Sequence, residues 1–388
     1  MSSILKNPRS PLLGAVFLMA TSAVGPGFLT QTAVFTEQLA AAFAFVILVS
    51  IVLDIGAQLN IWQIIGAHSE RGQQIANRIL PGSGYLLTAA IVFGGLAFNI
   101  GNLSGTGLGL NALTSLPVEY GAIISAGIVT LIFLRPSFRG WMDLFTQVMG
   151  LLMIALTCYV MIIGTPPYTE ALKQSILPDK IDFLAIITIV GGTVGGYISF
   201  AGAHRLLDSG ISGKERLPEI RKASIQAIVV ASIMRIVLFL AALSVIAKGL
   251  TLDPVNPPAS IFELGAGQMG KTLFGLVMWA AAITSVIGSA YTSISFLKTW
   301  HPSIEKHESK WILGFVYISL GILLLVGRPV QLLIWAGTIN GFILPIALGL
   351  LLYSIRDLHK TTEIRIPLWQ SLFGWAIVAV MLYMTLNI

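Results

Sequence analysis

The chain has 388 residues, 55% of them hydrophobic and only 10% charged, with a formal net charge of +6 and a mean hydropathy of +0.86. An average soluble protein carries about 25% charge, so too little polar side chain is present here to cover a water-facing globule. The basic excess does not mark a nucleic-acid binder. Its Lys and Arg are scattered through short links, with no basic helix and no aromatic–basic interleaving. The lone Cys158 rules out a disulfide within the chain and a CxxC metal site.

In chain order, the apolar runs predict eleven membrane helices, over residues 12–36, 40–67, 84–114, 119–134, 141–163, 182–207, 224–248, 271–297, 311–328, 331–354 and 367–386. The first run comes after Lys6 and Arg9, as a signal peptide would. It is longer than a usual signal core, and a second hydrophobic segment begins at once, so it reads as an uncleaved helix. Within it, the stretch LMATSAVGPGFLTQTAVFTEQ is interrupted at Gly25-Pro26-Gly27 and ends near a carboxylate, Glu37. Glycine and proline both weaken a helix. Backbone groups freed at membrane depth must be covered by protein or ligand. The sixth run, DFLAIITIVGGTVGGYISFAGAHRLLD, carries Gly191, Gly192, Gly195 and Gly196 and repeats the pattern in the second half of the chain. Paired interrupted helices in corresponding positions point to the binding site of a secondary transporter. Five spans make up the first half, and because five is odd the second half enters the membrane from the opposite side. The expected architecture is all-α: an inverted repeat of five plus five helices (12–163 and 182–354) and one extra helix (367–386), in a single membrane domain.

The positive-inside rule gives the orientation. With a cytoplasmic N-terminus, the inner segments hold Lys6, Arg9, Arg71, Arg78, Arg135, Arg139, the 214–222 cluster, Lys298, Lys306, Lys310, Arg356, Lys360 and Arg365. The outer links hold only Lys173, Lys180, Lys248, Lys271 and Arg328. The expected location is therefore the inner (plasma) membrane, with the C-terminus outside. The outer link TLDPVNPPASIFELGAGQ reads, from its prolines, as an ordered loop and not a helix start. The inner link DSGISGKERLPEIRKAS reads as a solvated, topology-setting segment or a short amphipathic helix.

The two breaks supply the candidate residues. Gly25, Pro26 and Gly27, with Gly192, Gly195 and Gly196, would offer free backbone groups to a solute. Half-helix N-termini there would favour an anionic group. Thr30, Gln31, Thr36, Gln38, Tyr197 and Ser199 supply hydroxyls and amides close by. Glu37 is the leading candidate for proton coupling, because an ionisable group in a membrane span is costly and therefore functional by default. Asp54, near Gln58 and Asn60, has Arg235 on the repeat-related helix as a candidate partner; the sequence leaves open whether the two pair, and a pair would be structural or would serve proton transfer or gating. A free histidine titrates near neutral pH, so His204 is a candidate for an inner gate or proton exit. Asn99, Asn102, Thr284, Ser285, Ser289 and Asn340 are polar in apolar surroundings and either line the cavity or bond across helices. Trp141, Trp279, Trp300 and Trp369 sit where interfacial belts are expected. No nucleotide loop, hydrolytic constellation or filter ring is present, so neither enzyme nor channel is expected, and no cofactor.

At Gly25-Pro26-Gly27-Phe28-Leu29, across Gly191 to Ser199, and along Trp279 to Leu297, the chain resembles the NRAMP family of divalent metal transporters. The resemblance implies a LeuT-like fold, alternating access and proton-coupled uptake. The family's first break carries Asp-Pro-Gly-Asn, whose Asp and Asn bind the metal. In one register those places are Thr36, Glu37, Gln38 and Leu39; in the other they are Gly25, Pro26, Gly27 and Phe28. The family's Met-Pro-His on the sixth helix falls on Gly195, Gly196 and Tyr197, and a second histidine falls on Gly202. Without the thioether, the ligand set no longer favours a transition metal. The glycines make room for something larger than a bare ion. The expected function is therefore a proton-coupled importer of a small organic solute, an anionic one where half-helix N-termini face it. The alternatives are a divalent cation carrier (hydrated Mg²⁺, or Mn²⁺ or Fe²⁺ at an atypical site) and a non-transporting receptor or structural protein.

Overall fold

The computed structural model describes residues 24–134, 138–298 and 300–388. Residues 12–23 of the first expected span lie outside them, as do Lys6, Arg9, Arg135 and the side chains of Arg139 and Trp141. The described residues form helices and connecting turns. In order these are α1 (Pro26–Leu39), a 3-10 turn (Ala40–Ala42), α2 (Phe43–His68), α3 (Gly72–Ile79), α4 (Ser83–Thr114), α5 (Val118–Leu134), α6 (Phe138–Gly164) and α7 (Tyr168–Ile176). Next come α8 (Phe183–Thr193), α9 (Tyr197–Asp208), a 3-10 turn (Lys214–Arg216), α10 (Leu217–Ile246), α11 (Pro257–Leu297), α12 (Pro302–Lys306), α13 (Glu308–Val326), α14 (Pro329–Thr361) and α15 (Leu368–Leu386).

Among the described residues, eight helical stretches are long and apolar enough to cross a membrane, and one of them, Pro26–His68, contains the described part of the first expected span from Pro26 onward and the whole of the second. The shorter apolar helix Val118–Leu134 and the bent pair Val148–Gly164 and Tyr168–Ile176, folded by 106°, account for the fourth and fifth. The sixth span, Phe183–Asp208, is the hub: 89% of its most apolar 18-residue stretch is buried inside the protein, against 33% of the corresponding stretches of α13 and α15. α8 packs on α14, α2 and α1, while α9 packs on α2, α11 and α4. α1 lies against α10, α11, α14, α4 and α8. Both interrupted helices are thus enclosed by the others. The peripheral helices present Leu151, Ile162, Leu325 and Leu386 outward, an apolar exterior suited to lipid.

Two links differ from expectation. Pro257 and Pro258 start α11, and no loop continues past them; proline is well tolerated in the first turn, where its missing N–H has no partner to lose. The helix then bends at Gly267 (φ 67°, ψ −168°), a conformation that suits glycine. The charged inner link makes no separate amphipathic helix. After one 3-10 turn, Leu217 and Pro218 open α10, and Arg216 pairs with Glu219 within the first turn. The short helices α3 and α7 lie in links between the apolar runs, where run length gives no signal for them.

Candidate functional site

The first break is seen from its downstream side. Gly25 is extended (φ −82°, ψ −175°) and Pro26 occupies the first turn of α1, so the helix begins at the predicted interruption. Pro26 is seated against Gly105 of α4, where a Cβ would lie 2.2 Å from its ring. The second break is narrower than predicted. Val194, Gly195 and Gly196 leave the helix, with Gly196 at φ 50° and ψ −125°. Gly191 and Gly192 remain helical, and their lack of a side chain serves packing. A Cβ on Gly191 would lie 2.0 Å from the Gly337 carbonyl, and one on Gly192 would lie 2.4 Å from Gln31 Oε1. Ser199 helps close the break by donating its hydroxyl to the Val194 carbonyl at 2.7 Å, and its own carbonyl accepts from Trp62 Nε1.

Gln31 joins the two breaks. Its Nε2 donates to the Leu333 carbonyl at 2.9 Å, and its side chain fits between Gly192 and Gly337, while its Oε1 is buried without a partner. Thr30 Oγ1 is in the same condition. Asn340 of α14 donates to the carbonyls of Gly94 and Ala336, and its Oδ1, also unmatched, stands where a Gly196 Cβ would lie (1.6 Å). Tyr197 is buried at the start of α9, hydrogen-bonded to Asn102 and edge-on to Phe98 at 5.1 Å. Asn99 donates to the Val286 carbonyl and Ser289 Oγ, and its Oδ1 is free. Buried polar atoms normally find partners. These unmatched amide and hydroxyl oxygens near the two helix breaks are therefore candidate contacts for a ligand or water.

Three predicted site residues lie elsewhere. Thr36 is buried, but its hydroxyl is used on its own helix, donating to the Thr32 carbonyl at 2.5 Å. Glu37 and Gln38 are exposed at the far end of α1. Glu37 is no isolated carboxylate in the interior: its Oε1 accepts from the Leu252 N–H at 2.9 Å and ties down the link before α11. Hydropathy placed it inside an apolar run; the helix end at Leu39 puts it outside.

Asp54 and Arg235 do come together. They are buried to 1% and 2% exposure, with Arg235 Nη1 4.0 Å from Asp54 Oδ2. Asp54 lies near the Thr193 hydroxyl at the edge of the second break, which itself donates to the Ile189 carbonyl, and the Arg235 guanidinium lies 4.4 Å above the Phe28 ring just past the first. The pair therefore touches both interruptions. Among the described residues, Asp54 is the only acid in the buried class and Arg235 the only Lys or Arg. His204 is buried near the other end of α9, packed on Phe296 and Phe200, with its Nε2 accepting from the Gly72 N–H at 3.2 Å. The neighbouring Arg71–Asp208 pair (2.6 Å) helps close this end of the molecule. Gly202, where the resemblance implies a histidine, faces the rigid Trp62 ring at 2.3 Å from a built Cβ, leaving no room for an imidazole.

Among the described residues no three His, Cys, Asp or Glu converge as a metal would need. The donors at the breaks are amides, hydroxyls and backbone.

This is the architecture of a secondary transporter with the LeuT-like fold. The model of the "Natural resistance-associated macrophage protein-like" family matches residues 16–388, and the chain belongs to that family. An uncharacterized membrane protein of Haemophilus influenzae is 53% identical over 96% of this chain and 94% of its own length. The divalent metal cation transporter MntH of Agrobacterium fabrum is 22% identical over 74% of this chain and 66% of its own. Among solved structures, the manganese transporter of Eremococcus coleocola matches with TM-score 0.74 at 15% identity, covering 100% of this chain and 87% of the other. MhsT in complex with L-phenylalanine matches with TM-score 0.65 at 17% identity, covering 97% of both.

Proposed function

We propose that this protein is a proton-coupled importer of a small organic solute, held between the two helix breaks. The observation that carries the reading is the donor set there. Thr30 Oγ1, Gln31 Oε1 and Asn340 Oδ1 are buried and unmatched, and no acidic, thiolate or thioether cluster accompanies them among the described residues. Neutral oxygens of this kind pair with the N–H and O–H groups of an organic molecule. An Fe²⁺ ion competes poorly for them, since it favours imidazole and sulfur ligands, whereas Mn²⁺ accepts carbonyl oxygen and belongs to the second reading below. The glycines at 195 and 196, where the family resemblance implies Met and Pro, remove bulk at the same spot. The fold accommodates organic cargo, as the L-phenylalanine complex of MhsT illustrates. Orientation is read from the basic links, with the N-terminus cytoplasmic and the C-terminus outside.

A second reading, transport of a divalent cation, is favoured by the likeness to MntH and to the manganese transporter. On this reading the same oxygens would hold a hydrated ion through its waters.

Binding to the purified protein separates the two. Calorimetric titration with glycine, L-alanine, L-lactate, succinate and neutral sugars is expected to find an organic ligand whose affinity falls in Gln31→Ala. Saturable Mn²⁺ or Mg²⁺ binding at the breaks, with none of the organic probes binding, would sink the proposal.

A further inference from the structure

Arg235 is buried, yet two of its donors have no partner: Nε and Nη2. These two N–H groups lie side by side on one edge of the guanidinium and point the same way. That edge is the fork that accepts the two oxygens of a carboxylate. The opposite nitrogen, Nη1, faces Asp54 at 4.0 Å, beyond hydrogen-bond range, and Asp54 Oδ1 is unmatched as well. Asp54 therefore balances the charge of Arg235 without filling its fork. The face of the guanidinium rests on Phe28, one helical turn before Gln31, so the unmatched edge sits beside the segment of α1 that carries Thr30 and Gln31.

We propose that Arg235 is the seat of the solute's carboxylate, which docks bidentately on Nε and Nη2, and that Asp54 carries the coupled proton. This rests on the reading of the breaks as an organic-solute pocket, and it narrows the cargo to a small monocarboxylate that also bears an N–H or O–H group for Gln31 and Thr30.

The coupling comes from charge balance. Without solute, one cation faces one carboxylate. An arriving carboxylate takes the guanidinium edge, so one cation then faces two anions in a buried site. A buried unbalanced charge is strongly unfavourable, and two carboxylates sharing a site retain a proton. One proton taken from outside water onto a carboxylate oxygen of Asp54 restores neutrality. Release of the solute to the inside frees Arg235 for Asp54, which then gives the proton up. The charged group acting on Asp54 is Arg235 of α10, and α8 contributes the Thr193 hydroxyl. The charge of α1, on Glu37, is at its exposed end. One solute anion and one proton move together, with no net charge.

The test uses proteoliposomes holding the full chain, ¹⁴C-labelled glycine, L-alanine, L-lactate, acetate and succinate, uncharged lactamide as control, and a pH dye inside. Wild type is expected to take up an amino or hydroxy monocarboxylate with one proton each, unaffected by membrane potential, and to ignore lactamide. Arg235→Lys keeps the charge and loses the fork, and should raise KM by about hundredfold or more. Asp54→Asn should still bind and exchange the solute, with affinity independent of pH, but should no longer accumulate it in response to a proton gradient. Uptake by wild type that moves net charge overturns the proposal without recourse to any variant. So does Arg235→Lys uptake within about threefold of wild type, or proton-driven accumulation by Asp54→Asn. If wild type takes up none of the organic probes, lactamide included, the underlying reading of the breaks fails; if it takes up lactamide but no carboxylate, or a carboxylate with Arg235→Lys intact, only this inference does.

Discussion

Gly196→Ala tests whether the second break is built as described. The backbone there has φ 50° and ψ −125°, a region that residues with a Cβ reach only at a cost of ~1–3 kcal/mol. The new Cβ would also lie 1.6 Å from Asn340 Oδ1. Asn340 cannot swing aside freely, because its Nδ2 donates to the carbonyls of Gly94 and Ala336, both at 2.9 Å. Giving up those two bonds costs ~1 kcal/mol each. The substitution should therefore destabilise the protein by about 3–5 kcal/mol, a large share of a typical folding free energy. Thermal unfolding in detergent, monitored by intrinsic fluorescence, measures this, and labelled-solute uptake should fall in parallel. In an Asn340→Ser background the overlap is gone, and Gly196→Ala should cost about 2 kcal/mol less, a coupling the double-mutant cycle isolates. A Gly196→Ala protein as stable and as active as wild type would refute the geometry of the break. A full cost retained beside Asn340→Ser would refute the role given to Asn340.

Other substitutions probe separate parts of the molecule. Gly192→Ala places a methyl 2.4 Å from Gln31 Oε1 and should weaken solute binding by about tenfold through loss of one hydrogen-bonding position, with a further loss of ~1 kcal/mol of stability as Gln31 gives up its bond to the Leu333 carbonyl; titration and thermal unfolding of the purified variant check the two. Glu37→Gln should leave proton-driven uptake intact, since Glu37 is exposed and the bond it accepts from Leu252 N–H survives in the amide; loss of the pH-gradient response would restore it as the coupling residue. Gly202→Ala should cost ~1–3 kcal/mol by overpacking against Trp62, whose ring is held by its bond to Ser199, and thermal unfolding measures it.

The membrane class, the order of the spans, the helix start at Pro26 and the interruption near Gly195-Gly196 were legible in the sequence, because apolar run length and glycine–proline punctuation are local signals. Asp54 and Arg235 were legible too as candidate partners, from their corresponding places in the two halves. What was not legible depends on tertiary contact. Four glycines within Gly191–Gly196 look alike in sequence, but two serve contact with Gly337 and Gln31 while the turn falls at 194–196. Glu37 reads as intramembrane by its neighbours' hydropathy, yet the end of α1 exposes it. Pro257-Pro258 reads as a loop signal until the missing N–H groups are placed in a first turn. Nothing in the order of residues says that Arg235 would keep one edge of its guanidinium unmatched; that comes from the way α10 meets Phe28 and Asp54.

The most direct measurement of the central claim is competitive uptake by the purified protein in liposomes, with the outside acidified and ¹⁴C-labelled L-lactate, glycine or L-alanine set against ⁵⁴Mn²⁺. The account predicts accumulation of a carboxylate, accompanied by protons and undiminished by excess Mn²⁺. Accumulation of ⁵⁴Mn²⁺ with no carboxylate entering would contradict it.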